Sequence, residues 1–240
     1  MDRYPTKKPE GKKASLESDT ALGADADPEA RNAVMRAVSI AFPGRVWKER
    51  SAVRAYTNII AERIGDRREY LLVDIGSGST DITAVRKSGL TDHIVVPEGL
   101  RTVLKRVTPA DGLPEQTLSL LSMLVSDHCD EEACAPLRDA LGRADSELAR
   151  VFGEAFAALS KVRRLPNVLV LAAHPAIAPW FEQFFTRVDF GQFTVTTDHF
   201  SVERITPEHL SGNVAFVELS ETDTGLALAS AFIQLQEQST

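Results

Sequence analysis

Apolar residues along the 240-residue chain recur with two periods, and the switches between them predict its elements. Val34, Ala37, Val38 and Ala41 fall at i, i+3, i+4 and i+7, a helical stripe that Pro28-Glu29 opens and Phe42-Pro43-Gly44 ends. Val53, Tyr56, Ile60 and Ile64 predict a second helix over residues 51–64. Tyr70, Leu71, Leu72 and Val73 form a continuous apolar run of the kind a buried strand uses. Residues 82–85 and 93–96 read as two more strands around a Ser88-Gly89 turn. Gly99 then opens a helix bearing Leu100, Val103, Leu104 and Val107. Residues 118–125, 131–141 and 145–162 predict three further helices, the last with Val151, Phe152, Ala155, Leu159 and Val162 on its buried face. Residues 167–172 are a strand, followed by His174-Pro175 and a helix carrying Trp180, Phe181 and Phe184. Residues 193–202 and 214–219 read as strands, and 222–234 as a closing helix with Leu226, Ala229 and Phe232 or Ile233 inward.

Composition narrows the classes of function. Hydrophobic content of 43% and charged content of 25% are those of a soluble globular protein. A net charge of −7 argues against a nucleic-acid binder that neutralises phosphates. No apolar run is long enough to span a bilayer and no signal-peptide core follows the basic start, so a cytoplasmic protein is expected. Residues 1–27 carry almost no large apolar side chain and are expected to form a disordered arm, basic at Lys7, Lys8, Lys12 and Lys13 and acidic behind. The only cysteines are Cys129 and Cys134, and no disulfide framework is expected of them. Beside Asp127, His128 and Asp130 their spacing of five fits no zinc pattern, and an acidic surface helix accounts for the same residues.

The chemistry concentrates where the first apolar run ends. Asp74, Gly76, Gly78, Thr80 and Asp81 follow it at once, giving strand, phosphate-type turn, strand. Glycines at 76 and 78 remove the side chains that would keep a phosphate from backbone N–H groups. Asp74, at the strand end, is placed to hold a magnesium-bound water, because magnesium keeps several waters and takes few carboxylates. This D-x-G-x-G-x-T-D pattern, with its flanking strands and the glycine before the next helix, resembles the second phosphate loop of the actin-like ATPase superfamily. It is most like that of FtsA and PilM, whose loop reads D-I-G-G-G-T-T-D.

The resemblance runs from about residue 50 to about residue 235. It implies an α/β, ribonuclease H-like domain in which helices flank a mixed sheet. The disordered arm would occupy 1–27, a helical lead-in 28–69, and the actin-like second domain 70–240 with a helical insertion at about 108–145. It also implies ATP and magnesium as cofactors. Asp74 would then be the catalytic and magnesium-orienting carboxylate, and Gly76, Ser77, Gly78 and Ser79 the cradle for the phosphates. Thr80 would add a hydroxyl, and Gly99 would support the ligand at a helix amino end. Asp81 reads as a cap for the hairpin. Ser77 and Ser79 depart from the usual Gly and Thr, and Ala172-Ala173 stands where the family has a Gly-Gly turn against adenosine. Methyl groups there narrow the approach and disfavour positive φ.

No strand followed by D-x-G precedes residue 70, so one of the family's two phosphate hairpins is present, and the half-site is expected to be completed by another chain, to be vestigial, or to reflect a shortened gene. One hairpin supplies charge from one side only, which predicts at most a weak ATPase. Two readings stay open. One is a bacterial actin-fold assembly protein of pilus or cell-division type that uses nucleotide to set its contacts with protein partners, reaching a membrane only through a partner. The other is a pseudo-ATPase interaction module that binds no nucleotide. A kinase of the same fold would need a substrate base and a closing domain, and the sequence shows neither.

Overall fold

The computed structural model describes residues 27–45, 52–63, 69–86, 89–110, 112–210, 212, 214 and 224–238. The chain divides into two compact units, Met1–Ser51 and Ala52–Thr240. In the first, α1 (Pro28–Ala41) is capped by Asp27, whose carboxylate accepts from the N–H groups of Glu29 and Ala30 at 2.9 and 3.1 Å. None of its residues is buried. The arm expected over 1–27 lies, apart from Asp27, outside the described residues.

The second unit is built on five strands: β1 (Tyr70–Ile75), β2 (Thr80–Arg86), β3 (Gly89–Val96), β4 (Val168–Ala173) and β5 (Ser201–Arg204), in the order β3-β2-β1-β4-β5. The three sequential strands pair antiparallel, while β4 lies parallel to β1 and β5 parallel to β4. The mixed sheet follows from the connections: only a few residues separate β1, β2 and β3, whereas three helices lie between β3 and β4. These are α3 (Leu100–Val107), α4 (Pro114–Val125) and α5 (Glu131–Ser160).

Alternation along β1 and β4 assigns the two faces. Leu71, Val73, Ile75, Leu169, Leu171 and Ala173 join a core with α3, α4, α5 and α6 (Ala178–Arg187). Phe152 on α5 is its hub, with the Phe185 ring centroid 5.0 Å away edge-on. Tyr70, Leu72, Val170 and Ala172 face the opposite core with α2 (Ala52–Arg63), α7 (Pro207–Leu210) and α8 (Thr224–Gln238).

Several expectations need correction. Residues 131–141 and 145–162 are one helix, because Leu137, Leu141, Ala144, Leu148 and Phe152 carry a single buried stripe across Gly142. Its end at Ser160 leaves Val162 76% exposed. On α8 the inward residues are Ala227, Leu228, Ala231 and Phe232, with Leu226 and Ile233 exposed. The strand expected over 193–202 is a 3-10 turn (Gly191–Phe193), a loop and only then β5. An isolated parallel bridge between Leu165 and Thr194, together with polar side chains, holds that loop in place of a continuous ladder. Thr194 Oγ1 donates to the carbonyls of Gly191 and Asp198 at 3.0 Å each, and Asn167 Oδ1 accepts from the Thr196 N–H at 3.2 Å. Cys129 and Cys134 form a disulfide, their Cα atoms 6.1 Å apart where α4 turns into α5. The strand expected over 214–219 lies, apart from Val214, outside the described residues.

Candidate functional site

The carboxyl ends of the parallel neighbours β1 and β4 open into a cavity of about 270 Å³. Asp74, Gly76 and Ser77 line one side of it, and Ala172, Ala173 and His174 the other. Tyr56 of α2 and the first residues of α8, Thr224 and Gly225, complete the wall. Ligands of open α/β sheets bind at this end of the strands, because loops rather than paired backbone surround it.

The β1–β2 hairpin is held by its own backbone and by α3. The Gly76 N–H donates to the Ser79 carbonyl at 2.9 Å, and the carbonyls of Gly76 and Ser77 accept from the N–H groups of Leu100 and Arg101 at 2.9 and 2.7 Å. The hairpin thus caps the amino end of α3. A Cβ on Gly99 would lie 2.6 Å from the Gly76 oxygen and 2.7 Å from the Ser79 nitrogen, so only glycine permits the contact. Thr80 is fully buried, and its hydroxyl donates to the Glu98 carbonyl at 2.6 Å. The Glu98 carboxylate in turn accepts from both terminal guanidinium nitrogens of Arg106, and this bonding holds the Arg106 guanidinium above its ordinary pKa.

What the hairpin exposes is the backbone of Gly76, Ser77 and Gly78, with Asp74 half-buried at its root and Ser79 half-buried behind. A Cβ on Gly78 would meet nothing within 4 Å, so packing does not demand glycine there. Asp81 lies on the outer side, where it pairs with His93 at 2.9 Å across β2 and β3. Among the described residues no group of three or more His, Cys, Asp or Glu could hold a metal. One carboxylate beside glycine backbone fits magnesium carried in on phosphate oxygens, which needs few protein ligands. Asp74 would hold such an ion through water, and the ion would neutralise phosphate charge.

The other wall is built differently from the expectation. Ala172 and Ala173 are the last residues of β4, in register with Asp74 and Ile75, and are 2% and 6% exposed. They extend the strand rather than turn it, so positive φ is not at issue. The turn begins at His174, whose Nδ1 accepts from the Ala176 N–H at 3.3 Å. Thr224 ties α8 to this strand end by donating its hydroxyl to the Ala173 carbonyl at 3.1 Å. The sequence reading does not mark Tyr56, His174 or Thr224 as site residues. A His-Pro pair directly after a buried parallel strand is the signal that points to one of them.

No protein-family model matches the chain, and no curated protein matches it. A solved structure of a PilM–PilN type IV pilus biogenesis complex contains a chain that superposes with a TM-score of 0.54 at 17% identity, over 87% of this chain. The fold is actin-like. The present chain spans 57% of that neighbour's length. The ethanolamine utilization protein EutJ from Carboxydothermus hydrogenoformans is also similar, at 18% identity and a TM-score of 0.36 over 74% of this chain and 53% of its own. The Gly76–Ser79 hairpin joins β1 to β2 of this sheet, and no helix among the described residues is long and apolar enough to cross a membrane.

Proposed function

We propose that this chain is a cytoplasmic actin-fold assembly protein that holds the phosphates of a magnesium nucleotide at its β1–β2 hairpin and uses that binding to set contacts with protein partners. The observation that carries the reading is the meeting of Asp74, Gly76 and Ser77 with the first residues of α8 in one cavity. Helix amino ends favour anions, and glycine backbone lets phosphate approach. In this reading Asp74 holds the magnesium water and the exposed turn Gly76, Ser77 and Gly78 faces the phosphates, with Ser79 behind it. Thr80 and Gly99 act by fixing the hairpin against α3. The neighbouring PilM stands in a complex with PilN, and a protein partner is proposed here by analogy, together with a second chain that supplies a facing hairpin.

Titration calorimetry of the full chain with ATP and magnesium, beside Asp74→Ala, tests the proposal. Binding that disappears in the variant while its melting temperature holds is the expected result. No heat at high nucleotide overturns it and favours a second reading, an interaction module without nucleotide. The size of the cavity favours that alternative, since small-molecule sites usually hold about 300–1,000 Å³.

A further inference from the structure

The β4 wall of the cavity ends on a side chain that the hairpin itself does not explain. Parallel register pairs Asp74 with Ala172 and Ile75 with Ala173, so one step further along both chains His174 comes level with Gly76. Neighbouring strands lie about 4.8 Å apart, which puts the histidine within side-chain reach of whatever rests on the turn after β1. Both residues line the one cavity.

The chain fixes this histidine from three directions. Pro175 biases the backbone before it to the extended region, so His174 leaves the sheet along the line of β4. Its carbonyl accepts from the N–H groups of Ile177 and Ala178 at 3.0 and 2.9 Å, closing a turn that the fully buried Ile177 anchors in the core. Its Nδ1 accepts from the Ala176 N–H at 3.3 Å. A ring nitrogen that accepts carries no proton, so in the neutral imidazole the proton stands on Nε2. Nε2 has no hydrogen-bond partner among the described residues. On the same wall Ala172 and Ala173 carry only methyl groups, and the Thr224 hydroxyl is already engaged by the Ala173 carbonyl. The half-buried ring therefore offers the cavity an N–H donor whose tautomer and direction are set before a ligand arrives.

We propose that His174 is a ligand-binding residue, its Nε2–H donating to a phosphoryl oxygen of the polyphosphate held at the β1–β2 hairpin. The inference rests on the phosphate site proposed above and adds a second wall to it. The hairpin meets the anion with its turn and with the magnesium water on Asp74, and His174 meets it from the neighbouring strand. Hydrogen bonds to charged acceptors are stronger than neutral ones, so this donor contributes about tenfold in affinity.

Titration of the full chain with magnesium triphosphate and with magnesium ATP tests the inference, in the parent and in Asp74→Ala, His174→Asn and His174→Gln. An asparagine oxygen can replace Nδ1 in the bond to the N–H two residues on, which keeps the turn and removes the Nε2 donor. A glutamine amide nitrogen stands near the lost Nε2 and restores that donor. The expected result is a dissociation constant about tenfold higher in His174→Asn for both ligands, with an unchanged melting temperature, and recovery of most of the affinity in His174→Gln. Parent-like binding by His174→Asn overturns the inference alone, provided that Asp74→Ala still abolishes binding. A loss confined to ATP also overturns it, since His174 would then lie against the nucleoside. Weaker binding in His174→Gln than in His174→Asn marks a role in the turn only and overturns it as well. A parent that binds neither ligand overturns the phosphate site itself, and this inference with it.

Discussion

Two neighbouring strands end side by side at the hairpin cavity, and they end in opposite ways. β1 runs into Gly76, Ser77 and Gly78, whose backbone is exposed; α3 clamps the carbonyls of the first two. β4 keeps Ala172 and Ala173 inside the strand, nearly fully buried, and turns only at His174. One end presents an exposed turn with open space beside Gly78; the other presents methyl groups and a hydroxyl tether from Thr224. In the proposed reading the phosphate side of the cleft is built without an open base side beside it, and affinity is carried by the phosphates.

The comparison is most easily broken at Gly99. In Gly99→Val the new side chain would overlap the Gly76 carbonyl and the Ser79 amide, costing about 3 kcal/mol of stability and the hairpin's closure. Urea unfolding measures the first and nucleotide titration the second. A variant as stable as the parent would show that α3 does not clamp the hairpin.

Tyr70 begins β1, and its phenol donates to the Thr57 carbonyl at 3.5 Å. Burial pushes its pKa up from 10.0 to about 12. The folded chain therefore keeps a proton that the unfolded chain releases. The stabilisation is complete below pH 10 and is lost as pH rises through about 12, amounting to at most about 2–3 kcal/mol. Unfolding of Tyr70→Phe across that window should lack this alkaline loss. Equal slopes in the two proteins would contradict it.

The smallest effects sharpen the comparison directly, because each strand end has one threonine tether. Thr80→Val removes a buried bond of 2.6 Å to the Glu98 carbonyl and should cost about 1–2 kcal/mol, together with phosphate affinity. Thr224→Val removes a bond of 3.1 Å to the Ala173 carbonyl and should cost about 1 kcal/mol, with a weaker effect on phosphate. Chemical denaturation and titration of both variants give the two rankings. The reverse order of affinity loss would place the ligand against β4.

The hairpin is legible in the sequence because its chemistry is local: Asp74, the glycines and Thr80 lie within seven residues, and a continuous apolar run marks the strand before them. The order of the sheet is available only through family likeness, since β1 meets β4 across a long helical stretch. The single helix α5 reads as two because Gly142 and its neighbours mimic a break, although the buried stripe continues through them. The loop after Phe193 reads as strand because alternation alone does not reveal that Asn167 and Thr194 will satisfy its backbone. His174 and Thr224 escape notice for a related reason. Each matters through the strand end it meets, and that meeting is tertiary.

The central claim is that the site is built for phosphates and not for the base. Titration of the full chain with magnesium ATP and with magnesium triphosphate, the same phosphates without a nucleoside, tests it most directly. The account predicts dissociation constants within about threefold of each other, both lost in Asp74→Ala. ATP binding far more tightly than triphosphate, or neither binding at all, would contradict it.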